Sequence, residues 1–268
     1  MAIINVSRQI GSCGGEVADE VADELGYTLF DKNSINSYVK NGRDDFESVI
    51  ASIDEKETGI FDYFFNNSKI YNCLMTSIIY DIASKGSVVI KGRCGQYILN
   101  EYSNVLNIRV IAPAKNRITK ISEKEQIDER LAIKLMNAND EEKKGFIKYL
   151  FNEDIEDPSF YDIVFNTNKF NKQMIKDIVV NQATFIDDKF AHQGDRFKAL
   201  STAKLVEASI IKASSEPSFF NVECFKNGQV IITGFVKSST EKEAIHNIAS
   251  EVKGVEELKN DLIIMHKF

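Results

Sequence analysis

Gly11-Ser12-Cys13-Gly14-Gly15 is the stretch whose residue types and spacing could do chemistry. Three glycines in five positions allow backbone N–H groups to turn toward one point and bind an anion. Arg8 and Gln9 flank the run, and a second guanidinium, Arg93, follows the Lys91-Gly92 turn much further along. Arginine and convergent amides together suit phosphate. The motif G-x-x-x-x-G-K-[ST] is absent, because Gly15 is followed by Glu16 and no lysine enters the loop. Cationic help must come from Arg8 or from elsewhere in the chain. A glycine-rich turn can also be plain connection, and the loop alone leaves both readings open.

The elements that would position these residues follow from periodicity. Ala2–Val6 is a short apolar run and reads as a buried strand. After the glycines, Val17, Val21 and Leu25, with Ala18 and Ala22 beside them, build one helical face. A helix beginning at the loop adds its N-terminal partial positive charge to the cradle. Tyr27–Phe30 reads as the next strand, and Asp31 just beyond it either meets ligand at a strand's carboxyl end or caps the helix Ser34–Val39. Arg93 lies between the strand Ser87–Ile90 and the helix Gln96–Asn100.

The rest of the chain alternates in the same way. Asn41–Thr58 is acidic and reads as a solvated loop with a helical piece; Phe61, Tyr63, Phe64 and Phe65 form an aromatic cluster suited to packing; Ile70–Ala83 reads as a buried helix. Val105–Ile111 is a strand and Arg117 lies on the helix after it. Helices are expected over Ile127–Leu135 and Asp140–Phe151, a strand over Tyr161–Phe165 and a helix over Asn171–Val180. Strands alternating with helices predict an α/β fold, a parallel sheet of five strands with helices on both faces, over residues 1–185. Residues 186–195 read as a linker. Over residues 196–268 the order becomes helix Arg196–Ala213, strand Phe219–Phe225, an Asn227-Gly228 hairpin turn, strand Val230–Val236, helix Ser239–Val252 and strand Leu262–Met265, a small αββαβ unit.

Composition narrows the function classes. The net charge is 33 − 40 = −7 over 268 residues, with no basic block, which disfavours a nucleic-acid partner. No apolar run approaches a membrane span and no export signal is evident, so a cytoplasmic location is expected and membrane contact is not. Cys13, Cys73, Cys94 and Cys224 are scattered and read as free thiols, Cys13 and Cys94 as small buried ones. His192, His246 and His266 lack ligand spacing, and no protein-held metal is expected.

Four stretches, in order, resemble the cytidylate kinase-like family of the P-loop nucleoside monophosphate kinases. Ser7-Arg8-Gln9-Ile10-Gly11-Ser12-Cys13-Gly14-Gly15 is similar to that family's lysine-free loop, S-R-Q-x-G-S-G-G, and Phe30-Asp31-Lys32 to its Y-D-K element. Val89 to Leu99 resembles V-x-G-R-C/G-A-D-Y-I-L, and Asp157-Pro158 with Tyr161 to Thr167 resembles G-D-P-x-x-Y-D-L-V-I-N-T. The resemblance implies that Arg8, Gln9, Gly11, Ser12, Cys13, Gly14 and Gly15 bind ATP, with Mg²⁺ held mainly through the nucleotide phosphates. It implies that Asp31, Arg93 and Asp157 face a CMP-like acceptor, and that Arg93, Arg117 and Lys143 supply catalytic charge. Departures are visible. Cys13 stands where the family has glycine, Ile155-Glu156 replaces its Trp-Gly, and the lid K-x-D-x-x-R-x-x-Y-Y becomes Asn137 to Ile147, with Lys143 at the arginine position.

The C-terminal unit resembles a BON domain through Val222, Asn227-Gly228-Gln229-Val230, Thr233-Gly234-Phe235-Val236, Ala249, Val252-Lys253-Gly254-Val255 and Asn260-Asp261-Leu262. Such domains are associated with envelope proteins and phospholipid. Here the expectation is a cytoplasmic module taking a small-molecule or protein ligand. Two functions follow from the resemblances: an active ATP-dependent phosphotransferase, or a catalytically degenerate nucleotide-binding sensor coupled to the BON-like module. The sequence leaves oligomeric state open.

Overall fold

The run Ala2–Val6 lies at the middle of a sheet, in β1 (Ile3–Arg8), and its apolar side chains are shut off from solvent on both faces. Its neighbours are β3 (Val88–Lys91) and β4 (Val105–Ile111); β2 (Thr28–Phe30) and β5 (Ile163–Asn166) form the edges, giving the order β2-β3-β1-β4-β5, all parallel. The chain leaves β1 toward one edge and later returns to build the other, so the crevice at the strands' carboxyl ends opens beside β1. A computed structural model provides this structure, which describes residues 1–40, 60–213 and 219–265. The acidic stretch Asn41–Thr58 and the side chains of Phe61, Tyr63, Phe64 and Phe65 lie outside the described residues.

The two faces of the sheet differ chemically. Ile4, Val6, Val89, Leu106, Ile108 and Val110 point to one side, where they pack against Val17 and Val21 of α1 (Gly14–Leu25). A later helix, Lys172–Lys189, brings Ile175, Val179 and Ala183 to the same core. Each of these larger side chains contributes about 1.5–3 kcal/mol by burial. The opposite face carries Asn5, Ser7, Asn107 and Arg109, all buried and polar. Asn5 donates through Nδ2 to Asn107 Oδ1 at 2.7 Å, and the short helix α4 (Gly95–Ile98) approaches so closely that a side chain at Gly95 would overlap Asn5.

The chain divides into two compact units, Met1–Tyr38 with Gly86–His192, and Val39–Lys85 with Gln193–Phe268. The first holds the sheet, α1, α2 (Lys32–Lys40, up to the boundary), α4, α5 (Ala114–Glu125), α6 (Glu129–Phe151), a 3-10 turn at Pro158–Phe160 and α7 (Lys172–Lys189). Where two helices are expected between Ile127 and Phe151, α6 is one continuous helix of 23 residues. Asp128 caps its start, accepting from Leu131 N at 2.8 Å. The residues between the expected pieces, Met136 to Asn139, are compatible with helix, and Met136 is anchored against Ile121. Likewise α7 runs on to Lys189, into the stretch expected as linker, because Ala183 and Ile186 continue its buried stripe.

In the second unit α3 (Ile60–Lys85) packs with α8 (Gly194–Ala213): Ser77 donates to the Ser201 carbonyl at 2.8 Å and Tyr80 stacks on Phe197 at 6.2 Å. The helix read as Ile70–Ala83 is therefore longer and belongs with the C-terminal elements rather than with the sheet. Antiparallel β6 (Phe220–Cys224) and β7 (Gln229–Val236) are joined by β8 (Glu257–Ile264), parallel to β7, with α9 (Ser239–Ser250) between them in sequence. This is the αββαβ order. The last strand starts five residues before the expected Leu262, since Leu258, Asn260 and Leu262 alternate inward. Among the described residues no helix is long and apolar enough to cross a membrane.

Candidate functional site

The glycine loop turns between β1 and α1. Gln9 N donates to the Val110 carbonyl at 3.1 Å and its side-chain Oε1 accepts from Ala112 N at 3.2 Å, tying the loop to the end of β4. Ser12 is fully buried, and its hydroxyl donates back to the Gln9 carbonyl at 2.8 Å. Gly11 has φ +77°, and a Cβ there would lie 2.7 Å from the Arg117 carbonyl oxygen. Gly14 is needed for packing, since its Cβ would fall 2.6 Å from Arg8 Cβ and 2.8 Å from Val110 Cβ. Both atoms are fixed by backbone, so Gly14→Ala is expected to cost about 1–3 kcal/mol of stability in chemical denaturation. Cys13 takes a left-handed conformation, φ 62°, at the position preceding α1.

This loop borders a cleft of about 720 Å³. Of the residues predicted to bind or act, Arg8, Gln9, Gly11, Cys13, Gly14, Gly15, Asp31 and Lys143 line it. Gly15 is the open part of the cradle: a Cβ there would meet nothing closer than Lys91 Cδ at 4.0 Å. Burial, then Glu16, push the Cys13 thiol up. Asp31 caps α2, accepting from Asn33 N at 3.0 Å and Ser34 N at 2.9 Å, and it also lines the cleft. The Ser34 amide holds its carboxyl below the usual range.

Four predicted residues are placed differently. Ser12 is turned into the loop's interior. Arg117 is buried beneath it, its Nε donating to the Ile10 carbonyl at 2.7 Å while Nη1 and Nη2 grip both oxygens of Asp140 at 2.8 Å. These contacts tie the loop to α6. Asp157 caps the Pro158–Phe160 turn through Ser159 N at 2.8 Å and does not line the cleft. Arg93, φ 56°, lies outside the lining but near enough to Arg8 to disfavour charge on it.

Lys143 reaches the loop from α6. Its helix is held at its start by Ile121, Ala132 and Met136, at its middle by Asp140–Arg117, and at its end by Phe151 stacked 5.1 Å from Tyr97. From that helix the amine reaches down to the loop, donating to the Arg8 carbonyl at 3.3 Å. Burial first, then Arg8, push its pKa down to about 8. Sequence reasoning missed Lys91 and Asp19, paired across the cleft at 2.6 Å, and Asn139, whose buried Oδ1 has no protein donor. Lys91 could have been found as the last residue of a strand, where side chains meet ligand. Among the described residues no three His, Cys, Asp or Glu side chains cluster as a metal site.

The description of the Cytidylate kinase-like family matches residues 3–169, well over half of the chain. The chain belongs to the cytidylate kinase-like family. Residues 201–265 match the BON domain. Among curated proteins, the cytidylate kinase of Methanocaldococcus jannaschii is 35% identical over 101 residues, which are 37% of this chain and 57% of that protein. The cytidylate kinase of Thermoplasma volcanium is 23% identical over 182 residues, 67% of this chain and 90% of that one. The chain thus spans 57% of the length of the first of these relatives. An uncharacterized protein from Eubacterium ventriosum, solved as a crystal structure, superposes with a TM-score of 0.51 at 21% identity, covering 69% of this chain and 99% of its own. That likeness concerns the fold alone, a parallel five-stranded sheet with helices packed on it.

Proposed function

We propose that the protein transfers the terminal phosphoryl group of ATP to a nucleoside monophosphate of the CMP class or a related small acceptor. The observation that carries this reading is the glycine loop opening onto a cleft where Arg8 and Lys143 have no carboxylate at ion-pair distance among the described residues. Cations left unpaired beside an amide cradle fit a polyanionic ligand. Asn139 Oδ1, lacking a donor in the same cleft, fits a hydroxyl or amino group of that ligand.

The roles follow from position. The amides around Gly14 and Gly15, with the N-terminus of α1, would hold the donor phosphates. Lys143 and Arg8 would face the oxygens on which charge spreads during transfer, where positioning and electrostatic stabilisation supply most of the rate. Mg²⁺, held mainly through the nucleotide, would neutralise the same phosphates. Arg93 and Asp31 would meet the acceptor. Arg117 is assigned a positioning role, holding loop and α6 together.

A second reading rests on Cys13, whose side chain occupies a cleft-lining position where the family motif has glycine. On that reading the protein binds the nucleotide without turning it over and passes the bound state to whatever the BON domain takes. Incubation with Mg²⁺-ATP and each nucleoside monophosphate, with products resolved by chromatography, separates the two. A nucleoside diphosphate formed mole for mole with ADP supports transfer; tight ATP binding with no product supports the sensor.

The depressed pKa of Lys143 gives a pH signature. The amine is charged below about 8 and neutral above it in the unliganded protein. Because kcat/KM reports the free protein, it is expected to fall as pH rises through about 8. Lys143→Arg should carry that limb beyond pH ~10, since guanidinium stays protonated. A pH profile identical in the two proteins would remove Lys143 from the chemistry.

A further inference from the structure

Arg109 is the charged group that the cleft leaves unused. It sits mid-strand in β4 and is 6% exposed. Burying a guanidinium is costly unless it is paired, yet the groups that hold it are neutral. Its Nη1 donates to Ser7 Oγ at 3.1 Å and to Tyr161 Oη at 3.2 Å, and its central carbon lies 5.4 Å from the centre of the Tyr161 ring. Tyr161 in turn donates to the Ile155 carbonyl at 2.9 Å, which fixes the ring and hence the guanidinium. No carboxylate forms an ion pair with Arg109 among the described residues, and its Nε and Nη2 hold no protein acceptor there.

The guanidinium opens onto a second cavity, of about 200 Å³, whose lining includes Arg8, Lys143 and Lys144. Of the acids at its edge, Asp140 is taken by Arg117, while Glu141 and Glu156 are exposed. Arg8, Gln9 and Lys143 border both cavities, so an anion here would share Arg8 and Lys143 with one in the glycine cradle. The space suits a single phosphate-sized group rather than a whole nucleoside. Where Lys143 replaces an arginine of the family lid, a planar fork is lost, and Arg109 supplies one from the sheet below.

We propose that this second cavity is the subsite for the acceptor's phosphate group, a monophosphate ester bound by Arg109 with Lys143 and Arg8. The proposal rests on the phosphoryl-transfer reading and adds the residue that selects a phosphorylated acceptor.

The test is calorimetric titration of the full chain, in Mg²⁺ and a non-hydrolysable ATP analogue, with the four common nucleoside 5′-monophosphates and their parent nucleosides. At least one monophosphate should bind the unaltered chain, and Arg109→Gln should weaken it by about 10-fold or more, the loss expected for a charge-assisted contact. Affinity for the parent nucleoside and for the ATP analogue should change less than about twofold, since neither places a phosphate at Arg109. Should Arg109→Gln fail to fold, exposed Lys144→Glu in the same cavity gives the answer, with an expected several-fold loss. Monophosphate binding insensitive to Arg109 and Lys144, or no monophosphate binding at all, overturns the subsite. Arg109-dependent binding without any product keeps the subsite and removes the kinase; transfer with Arg109-independent binding does the reverse.

Discussion

Lys143→Met is expected to lower kcat for phosphoryl transfer by about 10²–10³-fold, the scale for losing one aimed donor in a preorganised site. The affinity for ATP should change by much less, because on the proposed function the charge that Lys143 would meet develops during transfer rather than in the bound ground state. The geometry gives the reason. The amine is delivered by α6, a helix held at its start, middle and end, and it arrives at the carbonyl of the residue that opens the glycine loop. Steady-state kinetics with saturating acceptor checks this. A rise in KM with kcat unchanged would make Lys143 a simple ligand contact.

Arg8→Gln is the second large effect, with an expected loss of about 10²–10³-fold in kcat/KM. Its distinguishing feature is the accompanying stability. Burial and neighbouring Arg93 both disfavour charge on Arg8, with Asp31 and Asp19 offsetting only part of this. Removing the charge should therefore leave the thermal midpoint of the unliganded protein unchanged or higher, as for a residue kept for function at some cost to the fold. Thermal unfolding alongside kinetics tests it. A lowered midpoint with activity retained would mark Arg8 as structural.

Local chemistry explains which parts were legible in the sequence. The strand, loop and helix from Ala2 to Leu25 could be read because apolar runs, glycines and helical spacing coincide there, each level agreeing with the next. The parallel five-stranded sheet followed from alternation alone. The unity of α6 was hidden because Asn137, Ala138 and Asn139 carry no strong apolar signal, although nothing there breaks a helix. The partnership of α3 with α8 was hidden because it joins segments more than a hundred residues apart, which periodicity cannot pair. At the site, Gly11, Gly14 and Gly15 were found by type. Arg117 was found by type too, but only tertiary contact shows its fork engaged by Asp140 and Ile10. Arg109 carries a sequence signal of its own: a charge in the interior of Val105–Ile111, an otherwise buried strand, asks for a partner.

On the proposed function, the glycine loop and Lys143 together perform acceptor-dependent transfer. The most direct test is ADP formation from Mg²⁺-ATP in a single turnover, with and without monophosphate, in the unaltered chain and in Lys143→Met. ADP is expected only when acceptor is present, and is expected nearly to disappear in the variant. ADP formed at equal rates with or without acceptor, and equally by both proteins, would contradict it.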